Sequence, residues 1–246
     1  MSEQKLLEVL DCSVSYGPIQ ALNGVSLSVN QGEIVALLGA NGAGKTTLLQ
    51  TMSGLLRPTS GQVIYQGMDI TGMEAEKIVE KHLIHVPEHR QIFSTMTVLD
   101  NLYLGAYHHR KTTNKQAIEE NIKKVFELFP ILSDRKDQMG GTMSGGQQQM
   151  LAIARGMMAE PDLLLLDEPT LGLAPLIAKD VLELVGDLRK QFGTTILLIE
   201  QNLHASLKVA DRGYVISHGE IIKSGSSSEL LNDPEVKEAY LGHTVH

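Results

Sequence analysis

The 246-residue chain has no tryptophan, one cysteine and only 4% aromatic residues. A single thiol, Cys12, excludes an internal disulfide and fits a reducing compartment. Cys12 reads as a small packing residue. Positive charge is also scarce: 21 Lys and Arg stand against 29 Asp and Glu, for a formal net charge of -8. A general nucleic-acid binder needs a basic face to neutralise phosphates, so no nucleic-acid partner is expected. Long apolar runs are missing too. Leu163–Leu166 and Ile196–Ile199 fall far short of the roughly 20 residues of a membrane span. Met1-Ser2-Glu3-Gln4-Lys5 has no apolar stretch behind a positive start, so no secretion signal is expected. Membrane association should therefore go through a partner. The remainder, 42% hydrophobic and 20% charged, is ordinary globular composition.

Short strand-like runs open the chain. Leu6–Leu10, Leu22–Val29, Ile34–Leu38 and Gln62–Gln66 are rich in Val, Ile and Leu, with turns at Asn30-Gln31-Gly32 and Pro58–Gly61 between them. Ile34–Leu38 is continuously apolar, as a strand covered on both faces should be. A helix is expected from Lys45 to about Ser53, stopped by Gly54. The middle reads as helical. Thr97-Val98-Leu99-Asp100 has capping-box character, Lys115–Phe129 carries helical spacing up to a stop at Pro130, and Ser144–Gln147 is a second capping box opening a helix to about Ala159. The methionines at 139, 143, 150, 157 and 158 should pack one side of that helix. The last third returns to α/β order: strand Leu163–Leu166, helix Leu176–Gln191, strand Thr194–Ile199, and a hairpin of Gly213–Ser217 with Glu220–Lys223. The expectation is one α/β unit, 1–246, with an antiparallel part and a helical region inserted at about 90–160.

Gly39-Ala40-Asn41-Gly42-Ala43-Gly44-Lys45-Thr46 fits the P-loop pattern. Its glycines let backbone N–H groups, including those of Asn41, Gly42, Ala43 and Gly44, curl around phosphate oxygens. The helix start at Lys45 adds its positive dipole end. Lys45 supplies a point charge for the β- and γ-phosphates, the Thr46 hydroxyl can ligate Mg²⁺, and Thr47 sits beside it. A buried strand before the loop and a helix after it complete the required context. Leu163–Leu166 then delivers Asp167 and Glu168 at the end of a strand, where open α/β sheets bind ligands. Asp167 suits Mg²⁺, and Glu168 suits a general base toward the attacking water. Ser144-Gly145-Gly146-Gln147 leaves free N–H groups at a helix start. On physics alone it reads equally as an ordinary capped helix. One P-loop already saturates one ATP, so a second anion-binding helix start points to another copy's nucleotide.

In that order and over essentially the whole chain, these three motifs resemble the ATP-binding cassette (ABC) family. The resemblance implies a P-loop NTPase fold: a RecA-like parallel sheet core, an antiparallel β subdomain and an inserted helical subdomain. It implies ATP and Mg²⁺ as cofactors, and head-to-tail pairing in which Ser144–Gln147 of one subunit faces the P-loop of the other. It also assigns Tyr16 to stacking on adenine, a residue that otherwise reads as strand-edge packing.

Three positions depart from the family pattern. Glu88 follows Val86-Pro87 where a Gln is usual, Gln201 stands where a His contacts the γ-phosphate, and Ala174 replaces an Asp. Gln201 can donate to phosphate but cannot become a cation. Glu88 would repel phosphate unless a metal lies between them, so it is expected as a direct or water-mediated metal neighbour. With Pro169–Pro175 and the tail near Ala239-Tyr240-Leu241-Gly242, these positions resemble LivF-type subunits of bacterial branched-chain amino acid importers. The resemblance implies a peripheral protein on the cytoplasmic face of the membrane, working with a second cassette subunit (identical or different), transmembrane permeases contacted through a groove at Glu88–Leu104, and indirectly a substrate-binding protein. It implies branched-chain amino acids as cargo, with another small amino acid or amide as the alternative. A soluble cassette ATPase and a regulatory module without turnover are the rival readings. The histidines at 82, 85, 89, 108 and 109 read as surface or packing residues rather than a metal site, and Arg110–Lys115 as a solvated loop.

Overall fold

The computed structural model describes residues 4–107 and 115–236. His108, His109, most of the Arg110–Lys115 run and the tail at Ala239–Gly242 lie outside them. Two strands open the chain, β1 (Lys5–Tyr16) and β2 (Ile19–Asn30). β3 (Ile34–Leu38) leads into the glycine loop and α1 (Lys45–Met52). Then come β4 (Ser60–Tyr65), β5 (Met68–Asp69), the short α2 (Ala75–Val79) and β6 (Leu83–Val86). Between β6 and the next strand lie α3 (Val98–Gly105), α4 (Lys115–Leu128), α5 (Pro130–Asp134) and α6 (Gly145–Met157). Alternation resumes with β7 (Leu163–Asp167), α7 (Pro175–Phe192), β8 (Thr195–Glu200) and α8 (Leu203–Leu207). The hairpin β9 (Arg212–Ser217) and β10 (Glu220–Ser226) follows, and then α9 (Ser227–Asn232).

The strands form two sheets. One is antiparallel, in the order β2-β1-β4-β5; the other runs β10-β9-β3-β8-β7-β6, parallel except for β10 at its edge. Every residue of β3, β7 and β8 is buried, because helices or strands cover both faces of the sheet. The pleat sorts β3 between two cores. Ile34, Ala36 and Leu38 join α6 and α7 on one side. Val35 and Leu37 join Leu48, Leu49 and Met52 of α1 and the antiparallel sheet on the other. α1 is therefore wedged between the two sheets, and the loop before it is fixed from both ends.

Two details differ from the sequence expectation. Pro130 closes α4 but also opens α5, where a proline's fixed φ suits the first helical turn and its missing N–H is not needed. Met143, Met157 and Met158 are buried near α6, but Met139 is 48% exposed. Its backbone bridges Thr97 at a loop edge, which leaves its side chain at the surface.

The cap of α3 forms as expected, with Thr97 Oγ1 accepting from Asp100 N at 3.0 Å and Asp100 Oδ2 accepting from Thr97 N at 3.2 Å. At the other end of α3, a Cβ on Gly105 would overlap the carbonyl of Arg155 on α6. The glycine sets the approach of the two helices. Gly105→Ala should lower stability by about 1–3 kcal/mol, the usual cost of overpacking, read as a drop in melting temperature.

Candidate active site

The glycine loop closes on a buried lysine. Gly44 has φ 107°, and a Cβ there would sit 2.9 Å from Ala21 O and 2.8 Å from Leu22 Cδ2, so only glycine fits. Lys45 is 4% exposed. Its Nζ donates to Gly39 O at 2.8 Å and Ala40 O at 2.9 Å, and pairs with Glu168 Oε1 at 3.1 Å. A cavity of about 350 Å³ opens over the loop, lined by Asn41, Gly42, Gly44, Lys45, Thr46, Thr47, Glu88 and Glu168, with Ala21 and Leu171 at its sides. Ala43 turns inward and packs in the core beneath the loop.

Carboxylates crowd the far wall. Asp167 ends β7 and faces the Thr46 hydroxyl at 3.5 Å. Burial, then the negative charges of Glu168 and Glu88, push its carboxyl up to about 6. Among the described residues, no three acidic, His or Cys side chains group tightly enough to hold a metal alone. The set offers instead a hydroxyl and carboxylates with unneutralised negative charge. That suits a small hard divalent cation whose remaining ligands come from phosphate and water.

Glu168 is aimed by its surroundings. Its φ of 45° is left-handed, a conformation costing on the order of 1–3 kcal/mol in a non-glycine residue. Its N–H donates to Ile199 O at 3.0 Å. Gln201 Nε2 donates to Glu168 Oε2 at 2.6 Å. Gln201 therefore holds the acid, a contact that the sequence expectation did not include. One residue earlier, Glu200 is 3% exposed and accepts from Thr170 N at 2.9 Å and Thr170 Oγ1 at 2.7 Å. The segment after Glu168 is thus tied to the end of β8.

The other expected residues lie apart from this cavity. Tyr16 ends β1 with 47% exposure and does not line it; Ala21, on the paired strand, does. Ser144–Gln147 start α6, with Ser144 Oγ accepting from Gln147 N at 3.4 Å and Gln147 Oε1 from Ser144 N at 3.1 Å. They line no part of the P-loop cavity. Ala174 is the exposed N-cap residue of α7.

A second, larger cavity of about 740 Å³ runs from Thr46 and Asp167 past His85, Glu88 and Phe93 to Leu104 and Tyr107. Three large apolar residues on it are exposed: Leu55 by 62%, Phe93 by 50% and Tyr107 by 62%. The Glu88 loop is backed by Arg155 of α6, which donates to Gln91 O at 2.7 Å and stacks on the Phe93 ring at 5.5 Å. Asn101, fully buried, bonds Phe93 N and O at 2.9 and 3.0 Å. Sequence reasoning passes over Glu200, Arg90, Arg155 and Asn101. None sits in a motif with a mechanism of its own, and only the fold brings them to the site.

Residues 22–171 match the family model described as ABC transporter. The chain is 48% identical over 230 residues to the high-affinity branched-chain amino acid transport ATP-binding protein BraG of Pseudomonas aeruginosa, covering 94% of this chain and 97% of that protein. It is 35% identical to the lipopolysaccharide export system ATP-binding protein LptB of Haemophilus influenzae, over 96% and 97%. It is 32% identical to a second Pseudomonas aeruginosa protein, the high-affinity branched-chain amino acid transport ATP-binding protein BraF, over 96% and 98%. A solved ATP-binding cassette of an ABC transporter in its ADP conformation superposes with a TM-score of 0.86 at 31% identity, over 98% of this chain and 100% of that one.

His85 provides a pH signature for this region. Its Nε2 is buried without a hydrogen-bond partner, and burial pulls its ring from 6.5 down to about 4. Below pH 6.5 the unfolded chain takes up a proton that folded His85 refuses until about pH 4. Its contribution is therefore intact above 6.5 and lost between 6.5 and 4. In denaturant unfolding, the stability of His85→Leu relative to the original chain should rise by about 2 kcal/mol between pH 7 and pH 5.

Proposed function

The chain belongs to the ABC transporter family and is one of its ATPases; from that footing we propose that it powers an importer of branched-chain amino acids. What supports the ATPase chemistry is one juxtaposition: Lys45, Thr46 and Glu168 line a single cavity, and Asp167 faces the Thr46 hydroxyl beside it. What supports the cargo is the 48% identity to BraG. Likeness at about one third identity does not fix cargo, since LptB, at 35%, is named for lipopolysaccharide export. BraG and BraF share an organism and a named transport process, yet this chain is 48% identical to one and 32% to the other. That split favours a working pair of two different cassettes. A pair of identical subunits, or another small amino acid or amide as cargo, is the alternative.

In this reading the γ-phosphate of ATP takes over the Lys45 ammonium from Glu168. The released carboxylate then accepts a proton from the attacking water as the water oxygen bonds to the γ-phosphorus and the bridging oxygen leaves with ADP. Gln201 and Glu200 keep Glu168 pointed at that water. Thr46, Asp167 and Glu88 would hold Mg²⁺, which when bound neutralises charge on the phosphates. Backbone N–H groups of Gly39–Thr46 cradle the phosphate chain, and Ser144, Gly145, Gly146 and Gln147 serve the nucleotide of the partner cassette. Tyr16 stacks on adenine from the tip of the first hairpin. The 740 Å³ cavity receives a transmembrane permease segment at the cytoplasmic face of the membrane, its exposed Leu55, Phe93 and Tyr107 meeting apolar side chains. A substrate-binding protein delivers cargo to that permease.

In a reconstituted transporter, ATP hydrolysis should rise when permease and loaded binding protein are present. Leu55→Glu should abolish that rise and leave basal hydrolysis intact; a normal rise in the variant would remove the cavity from the permease contact. Glu88→Gln should shift the Mg²⁺ dependence of turnover to higher concentration, and an unchanged Mg²⁺ titration would end the metal role of Glu88.

A further inference from the structure

The glycine loop is backed by a hairpin that the reaction does not use. The β9–β10 turn, His218-Gly219, is left-handed at both positions, with φ of 48° and 81°. A tight two-residue hairpin turn requires that pair of angles. Gly219 then faces two ways. Its N–H donates to Ala43 O of the glycine loop, and its O accepts from Asn23 N of β2, both at 2.9 Å. A Cβ on Gly219 would sit 2.6 Å from Ala21 O, so a side chain has no room there. Three residues earlier, Ile216 closes on Gly39, where an added Cβ would lie 2.5 Å from Ile216 O. The hairpin therefore touches the loop at its first residue and near its end, and it touches β2 as well.

β2 needs that support, because it is irregular where it passes the cavity. Cys12 pairs with Val25, Val14 with Leu22 and Ser15 with Gln20. Each jump in register leaves one extra residue on β2, first at Asn23-Gly24 and then at Ala21. A bulge disrupts the ladder and bends its strand, so the ladder alone does not fix where the strand end goes. Ala21 is the β2 residue that lines the cavity, and Tyr16, paired with Ile19, stands at the tip beyond it. Asn23 fastens this stretch from the outside. Its Nδ2 donates to Glu220 Oε1 at 2.5 Å, and its Oδ1 accepts from Gln20 Nε2 at 3.0 Å. One exposed asparagine thus ties both bulges to the first residue after the His218-Gly219 turn.

We propose that Asn23 is a positioning residue for the base end of ATP: through Glu220 and Gln20 it sets how far the Ala21–Tyr16 wall stands from the glycine loop, so that adenine meets Tyr16 while the phosphates lie over Lys45. This rests on the reading above that Tyr16 stacks on adenine. The phosphate cradle has its own fastenings in β3, α1 and the Gly219–Ala43 bond. Loss of the Asn23 side chain leaves those intact and leaves the backbone bond from Asn23 N to Gly219 O in place. The effect therefore falls on the nucleoside and not on the phosphates. A triphosphate without a base does not depend on Asn23.

The test measures the dissociation constants of Mg²⁺-ATP and of Mg²⁺-tripolyphosphate on the full chain. Asn23→Ala should weaken ATP about fivefold, the effect of one lost hydrogen bond to a charged group at the surface, and leave tripolyphosphate unchanged. In the assembled transporter its kcat at saturating ATP should match the original. Glu220→Gln keeps an oxygen that accepts from Asn23 and should keep the original ATP affinity, whereas Glu220→Ala should behave as Asn23→Ala. Tyr16→Ala should weaken ATP about tenfold by removing the stacking surface. Asn23→Ala added to Tyr16→Ala should then cost nothing further, because a positioning residue has no effect without the group it positions. An unchanged ATP constant in Asn23→Ala would overturn the proposal. Equal weakening of ATP and tripolyphosphate would also overturn it, by making Asn23 a general support of the fold, and so would additive losses in the double variant. An original ATP constant in Tyr16→Ala would instead overturn the adenine reading on which the proposal rests.

Discussion

The Lys45 ammonium is buried, and its three protons face the carbonyls of Gly39 and Ala40 and the carboxylate of Glu168. A buried charge without partners is far too costly to keep, so each partner has to be in place. Gly39 and Ala40 are in place because β3 is locked in the middle of the parallel sheet and α1 is wedged between the two sheets. Glu168 is in place because β8 pairs with both β3 and β7, because Ile199 accepts its N–H, and because Gln201 grips its free oxygen. The loop is therefore closed on its own lysine.

This arrangement joins binding to chemistry. In the proposed mechanism a phosphate that pairs with Lys45 displaces Glu168, and the displaced carboxylate takes the proton from water. Around it, Asp167 is held near pH 6 by burial and by Glu168 and Glu88. The site thus carries excess negative charge on one wall and a neutralised lysine on the other. In the proposed mechanism, ATP with a divalent cation would correct both at once. Glu200, bound to Thr170, keeps the left-handed turn at Glu168 from relaxing when its carboxylate lets go of the lysine.

Much of this could be read from the sequence, for a physical reason. Gly39–Thr46, Leu163–Glu168 and Ser144–Gln147 are local patterns: spacing within a few residues fixes strand, turn, helix start and the side chains they present. The strand Ile34–Leu38 and the capping boxes at Thr97 and Ser144 follow from the same short-range rules. What the sequence missed is long-range. The contact of Gln201 with Glu168, 33 residues earlier, leaves no sign among the neighbours of Gln201 in sequence. Arg90 sits in no motif, and only the fold brings it against Gly145 of α6. Tyr16 and Ser144 point the other way: their assigned roles need a nucleotide and a second subunit, and neither lines the P-loop cavity of its own chain.

The exchange of Glu168 for phosphate at Lys45 is the point on which this account turns. The direct measurement is the ATP dissociation constant of Glu168→Gln beside that of the original chain, taken with turnover on the same samples. If the carboxylate competes with phosphate for the lysine, the variant loses hydrolysis but binds ATP more tightly, by about tenfold, equivalent to about 1.4 kcal/mol. Equal or weaker binding, or undiminished hydrolysis, would contradict it.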